Sequence, residues 1–170
     1  MEKVLLVDDE PGVLAALARE LRTGPWEIIT CESPAQALHE IDRQPLALVL
    51  ADYRMPGING VELLEYCRLR RPATMRIIMS GYSERDILLE AINRASVFRY
   101  LCKPWNSEEL LDSVVRAVDA YLSQRSDPAP SGTAEAAASK PAVPSQASSS
   151  ELLRLARDES NAILLSDGSD

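Results

Sequence analysis

Five polar residues in this chain follow apolar runs closely enough to share one site. Asp8 and Asp9 come after "KVLLV", Asp52 after "LALVLA", Ser80 after "MRIIM" and Lys103 after "VFRYLC". A charge at the end of a buried run is costly unless something pairs with it. Gathered on one rim, three carboxylates repel each other, and without help at least one must hold its proton more tightly. A divalent cation removes that conflict. Carboxylate oxygens select a hard ion, and a few of them with open positions suit Mg²⁺, which keeps several waters and often takes ligands from a phosphate. Lys103 adds a compact positive charge and Ser80 a hydroxyl, a combination that suits a doubly negative phosphoryl group. In such a site Asp52 is the nucleophile, attacking phosphorus through a carboxylate oxygen. The metal and the lysine stabilise charge on the transferring oxygens. Each signal is weak alone: an Asp-Asp pair also caps a following helix, and a single Lys-Pro or Ser means little. Their joint placement carries the reading.

The elements that must position these residues alternate regularly. Short apolar runs predict strands over 3–7, 26–31, 46–51, 75–80 and 97–102. Helical patterns fill the gaps at 11–22, 34–43, 60–71, 84–95 and 107–122. The first helix carries Val13, Leu17 and Leu21 at helical spacing, with Pro11 at its start. Ser33 is placed to cap the second, and Pro72 ends the third. In the last, Leu110, Leu111, Val114, Val115, Val118 and Leu122 are expected on one buried face. Alternation of this kind implies an α/β fold with a doubly wound, five-stranded parallel sheet covered on both faces. Right-handed crossovers leave few topologies, and sites in such sheets form at the carboxyl ends of the strands.

Composition limits the function classes. The chain has 170 residues, 46% hydrophobic, with a net charge of −8. That charge argues against nucleic acid as a direct partner, because phosphate contacts need a basic surface. The start, "MEKVLLVDDE", has no long apolar region, and no run approaches a membrane span. The expectation is a cytoplasmic protein with no membrane contact. Cys31, Cys67 and Cys102 are scattered without a CxxC and read as packed or surface thiols. His39, the one histidine, reads as a surface residue on a helix.

The pieces "VLLVDDEP", "LVLADYRMPGINGVELL", "IIMSGYSE" and "FRYLCKPWNSEEL" agree in order and spacing with one family. Over residues 2 to about 124 the chain resembles the receiver domain of bacterial two-component response regulators. The resemblance implies the flavodoxin-like strand order 2-1-3-4-5. It makes Asp52 the phosphorylated aspartate. It makes Asp9, Asp52 and the backbone carbonyl of Arg54 ligands of Mg²⁺, with Asp8 reaching the ion through water. Ser80 matches the switch hydroxyl, Tyr100 the aromatic that turns inward behind it, and Lys103 the phosphoryl-binding lysine. The bond from Lys103 to Pro104 is expected to be cis. Gly81 leaves room beside the phosphate, and Pro56, Gly57 and Gly60 shape the loop after the acceptor. Two departures stand out: serine at position 80, where threonine is equally common, and Trp105 where phenylalanine is more usual. The stretch "FRYLCKPWN" is similar to receivers that precede cyclic-di-GMP phosphodiesterase or transcription modules.

The chain then divides into three segments: a receiver at 1–124, an Ala/Ser/Pro-rich linker at 125–150 and an acidic end at 151–170. Linker composition and scarce apolar residues predict a disordered C-terminal tail, with a short helix at 151–165. The last ~45 residues are too few for a helix-turn-helix, ATPase or phosphodiesterase domain, so a stand-alone receiver is expected. Its partners are a sensor histidine kinase and an unknown downstream protein, or a second copy through 84–95, 97–102 and 107–122. The alternative is a phosphorelay intermediate that passes its phosphoryl group to a histidine phosphotransfer protein. An enzyme reading is set aside. Aspartate-nucleophile phosphatases need a second acid two residues after the first, and Arg54 stands there.

Overall fold

A computed structural model of the chain describes residues 1–81 and 93–126. The elements are β1 (Glu2–Val7), α1 (Pro11–Leu21), β2 (Trp26–Cys31), α2 (Pro34–Arg43), β3 (Leu48–Asp52), α3 (Gly60–Arg70), β4 (Met75–Gly81), β5 (Arg99–Lys103) and α4 (Ser107–Ser126). All five strands are parallel, in the order β2-β1-β3-β4-β5. This is the doubly wound sheet that the alternation of elements predicts. The linker at 125–150 and the end at 151–170 fall beyond the described residues, apart from the last turn of α4. Most of the helix expected at 84–95 does too, although residues 93–95 are helical.

Two apolar clusters, one on each face of the sheet, hold it in place. Leu5, Val49, Ala51 and Ile78 meet α2 and α3 on one face, with Ile41, Leu63 and Leu64 among the fully packed side chains. Val4, Leu6, Leu50, Ile77 and Met79 meet α1 and α4 on the other. Alternate strand residues point to opposite faces, so each strand feeds both clusters. The central β3 is buried along its whole length, which explains its unbroken apolar run.

Helix ends follow local chemistry. Ser33 Oγ accepts from the Gln36 N–H to cap α2. Asn59 and Glu62 form a reciprocal capping box on α3. Three expectations need correction. On α1 the buried stripe is Leu14, Leu17 and Leu21, with Val13 only half-buried. On α4 the buried face is Leu110, Val114, Ala117, Val118 and Tyr121, while Leu111, Val115 and Leu122 are 38%, 39% and 40% exposed. The helix packs on one sheet face only, so the arc that reaches the core is narrower than its apolar content. The fifth strand begins at Arg99 rather than at 97, because Ser96 takes a left-handed φ of 47° and turns the chain before it can extend. Cys31 and Cys67 are buried free thiols, with burial pushing their pKa values up to about 11 and about 12. His39 is exposed.

Candidate functional site at the carboxyl ends of the strands

β1 ends at Val7, and Asp8 follows it into the rim at 1% exposure. Its Oδ1 accepts from the Glu10 backbone N–H at 2.9 Å, just before α1 begins. The α1 N-cap, Glu10, has no side-chain cap of its own. Asp8 therefore does local work as well as facing the site. Its second oxygen, Oδ2, accepts from Lys103 Nζ at 2.7 Å. Asp9, next along, is exposed.

Asp52 is the last residue of β3 and is 6% exposed. Its Oδ1 lies 2.6 Å from Lys103 Nζ, and its Oδ2 accepts from the Arg54 N–H at 2.8 Å. The loop beyond it is held tightly. The Tyr53 N–H donates to Met79 O on β4 at 2.8 Å, and the Gly60 N–H donates back to Tyr53 O at 2.9 Å. Gly57 adopts a φ of 85°, a conformation that glycine enters without steric cost. A Cβ on Gly60 would stand 2.1 Å from the carbonyl oxygen of Asp52. Helix α3 thus begins directly against the backbone of the proposed acceptor, and only glycine permits that approach.

Ser80 and Gly81 end β4, and Tyr100 and Lys103 lie on its neighbour β5. The register sets Ser80 opposite Cys102 and Gly81 opposite Lys103. Ser80 Oγ and the Tyr100 hydroxyl are 2.8 Å apart. A Cβ at Gly81 would meet nothing within 4 Å. The Lys103–Pro104 bond is cis. Beyond it, Trp105 packs on the α1/α4 side of the core and donates from Nε1 to Glu20 of α1 at 3.1 Å.

The charges here are unbalanced. One ammonium serves two buried carboxylates, and an exposed third stands beside them. Burial pushes the Asp52 carboxyl up from its ordinary range. The Lys103 hydrogen bond and charge oppose that rise, the Asp8 charge reinforces it, and the Arg54 N–H opposes it. Burial alone would lower the Lys103 pKa, but its bonds to Asp52 and Asp8 outweigh that and raise it. Hard oxygen donors with too little positive charge are the setting in which a divalent cation fits. Among the described residues no three His, Cys, Asp or Glu side chains are grouped closely enough to hold a metal. Asp8 and Asp52 turn to Lys103, and Asp9 stays outside.

Of the residues singled out in the sequence, the strand ends bring Asp8, Asp52, Arg54, Ser80, Gly81, Tyr100 and Lys103 to one rim. Arg76 was not singled out. It sits inside β4 at 8% exposure, and its only signal is a charge within the run "MRIIMS".

The model of the response regulator receiver domain matches residues 4–115. The chain belongs to this family. Receivers are signalling domains of bacterial two-component systems, typically phosphorylated on an aspartate by histidine kinases and typically binding Mg²⁺. This receiver is 39% identical over 117 residues to the hydrogenase transcriptional regulatory protein HoxA of Cupriavidus necator, an alignment covering 69% of this chain and 24% of that protein. It is 32% identical over 141 residues to the DNA-binding transcriptional regulator NtrC of Klebsiella pneumoniae, covering 81% of this chain and 30% of that one. It therefore spans less than a third of the length of these curated relatives. Among solved structures, the signal receiver domain of an HD domain-containing protein from Pseudomonas fluorescens Pf-5 superposes with a TM-score of 0.70 at 30% identity, covering 73% of this chain and 91% of that one. A CheY-like receiver from Methanospirillum hungatei JF-1 gives a TM-score of 0.68 at 25% identity, covering 73% and 98%. Among the described residues of this receiver no helix is long and apolar enough to cross a membrane.

Proposed function

We propose that this receiver takes a phosphoryl group from a sensor histidine kinase onto Asp52 and signals through a changed protein-binding face. The observation that carries the reading is the shared ammonium, with Lys103 Nζ 2.6 Å from Asp52 and 2.7 Å from Asp8. An oxygen of Asp52 attacks phosphorus. The new P–O bond forms as the P–N bond to the kinase imidazole breaks, and the leaving imidazole keeps the electron pair and takes a proton from solvent. Asp52 attacks as a carboxylate, so no general base is required. Its charge moves outward onto the phosphoryl oxygens, and the Lys103 ammonium follows it. Ser80 exchanges the Tyr100 hydroxyl for the same oxygens. Gly81 leaves the space they need.

Asp9, Asp52 and the carbonyl oxygen of Arg54 would hold Mg²⁺, with Asp8 reaching it through water. Bound there, the ion supplies neutralising charge for the phosphoryl oxygens. The output face would be built from residues 84–95, β5 and α4. The exposed Phe98, Leu111, Val115 and Leu122 support a protein partner or a second copy there. Bacterial response regulators are typically cytoplasmic, which supports the same location here, and the acidic balance of the chain supports no direct nucleic-acid contact by the receiver itself. The receiver proper is assigned to 1–124, and no turnover of outside substrates is expected of it. The test is acetyl phosphate with Mg²⁺. Wild type should gain one phosphoryl group by intact mass, Asp52→Asn none, and wild type in excess EDTA little. Equal labelling of wild type and Asp52→Asn would refute the assignment.

A further inference from the structure

Arg76 and Ser80 lie on β4 with Ile78 between them. Alternation along a strand puts all three on the same sheet face, and Ile78 packs there with Ala95. Four strand steps separate Arg76 from Ser80, about 13 Å. At the Ser80 end, the hydroxyl meets Tyr100. At the Arg76 end, a buried guanidinium makes its hydrogen bonds to backbone carbonyls alone. Nε donates to Ala95 O at 2.8 Å, Nη2 to Ser96 O at 3.3 Å, and Nη1 to Thr74 O at 2.5 Å and Pro72 O at 3.4 Å.

These carbonyls explain why an arginine is tolerated inside an apolar strand. Residues 93–95 are the end of a helical segment. The last carbonyls of a helix lack partners within it and carry the negative end of its dipole. Ser96 then turns left-handed at φ 47°. One planar fork of donors satisfies carbonyls on both sides of that turn, which an ammonium could not do in the same geometry. Two further ties hold the same end. The Phe98 N–H donates to Arg76 O at 2.7 Å, and Arg94 pairs with Glu65 of α3 at 2.7 Å.

We infer that Arg76 is a positioning residue that anchors residues 93–98 to β4, so that changes begun at Ser80 pivot about a fixed far end. β4 is thereby tied to β5 by a hydroxyl pair that can switch and to residues 93–98 by a guanidinium that does not. The inference rests on the reading of Ser80 as the switch hydroxyl. It assigns the switch a boundary: Arg76 holds residues 93–98 in place when Ser80 changes partner.

Hydrogen exchange on the full chain tests this, read at amides 93–98 and at 79–81. In wild type, phosphorylation with acetyl phosphate and Mg²⁺ should alter 79–81 and leave 93–98 within about twofold. In Arg76→Gln the change should spread, accelerating exchange at 93–98 by about tenfold or more. Arg76→Lys, which keeps the charge and part of the donor set, should fall between them and serves if Arg76→Gln fails to fold. A parallel arm replaces phosphorylation by Ser80→Ala, so the anchor is tested even if Asp52 is not the acceptor. Ser80→Ala alone should leave 93–98 unchanged, and in the Arg76→Lys background it should accelerate them. A phosphorylation-dependent or Ser80→Ala-dependent change at 93–98 in the presence of Arg76 would overturn the inference. So would variants in which the change stays confined to 79–81.

Discussion

The Ser80 and Tyr100 hydroxyls stand 2.8 Å apart across β4 and β5, so the proposed switch residue is already engaged before any phosphoryl group arrives. Either hydroxyl can be the donor in this pair. Turning Ser80 to a phosphoryl oxygen exchanges its pairing with Tyr100 for the new bond. A double-mutant cycle of Ser80→Ala and Tyr100→Phe, followed by urea unfolding, should give a coupling of about 1 kcal/mol in the unphosphorylated protein. A coupling indistinguishable from zero would mean that the pair is not an energetic link.

Lys103 is the only counter-charge that the described residues give to Asp8 and Asp52. Lys103→Met should cost about 3 kcal/mol in EDTA, the usual penalty for stranding a buried charge. Adding Asp52→Asn to that variant should recover part of the loss. Because the folded-state pKa of Lys103 is raised, its stabilisation is complete at neutral pH. It should fade only as pH climbs past 10.5 through the folded value. A Lys103→Met protein as stable as wild type would contradict the charge accounting.

Asp52 shifts in the same direction as Lys103, but for a carboxyl that favours the neutral form, so its charge is a liability at neutral pH. Burial raises its folded-state pKa above the unfolded 3.8, so the native state binds the proton more tightly and stability drops as pH rises through that window. Without divalent ions, Asp52→Asn should melt above wild type at pH 7. The gap should close at acid pH, where both side chains are neutral. Calorimetry in EDTA across that range decides it, and an Asn variant that melts lower at pH 7 would contradict the sign.

Asp42 behaves as a structural carboxylate. Burial alone would raise its pKa, but the hydrogen bonds from Arg70 Nε and the Tyr66 hydroxyl, both 2.8 Å, outweigh that and lower it. Its contribution is present above pH 3.8 and lost as pH falls through the folded value. Partial exposure limits it to about 1 kcal/mol. Asp42→Asn should lose that much at pH 7 and progressively less as pH falls through the folded value. A loss that does not change with pH would point to packing instead.

Gly60→Ala should destabilise by roughly 2 kcal/mol, although alanine is the better helix former. The cause is the 2.1 Å approach to Asp52 O, so phosphorylation should slow as well. A variant with wild-type stability and labelling would show that α3 can shift without moving the acceptor.

The strands and the rim were legible because apolar runs and their polar ends are local signals. Asp8, Asp52, Ser80 and Lys103 each sit one step past, or at the end of, a run that the core demands. The features that stayed hidden depended on distant partners. Leu111, Val115 and Leu122 fit the same broad helical arc as Leu110 and Val114, and only the width of the sheet decides which side chains reach the core. Arg76 looked like an interruption of a strand because two of its acceptors lie about twenty residues away, at a turn at Ser96 that no glycine announces.

Mapping the phosphorylated residue tests the central claim most directly. Wild-type protein labelled with acetyl phosphate and Mg²⁺ is reduced with borohydride, which converts an aspartyl phosphate to homoserine, and then digested and sequenced by mass spectrometry. The account predicts the mark at Asp52 and at no other residue. A mark at Asp8, Asp9 or any other carboxylate, with Asp52 unmodified, would contradict it.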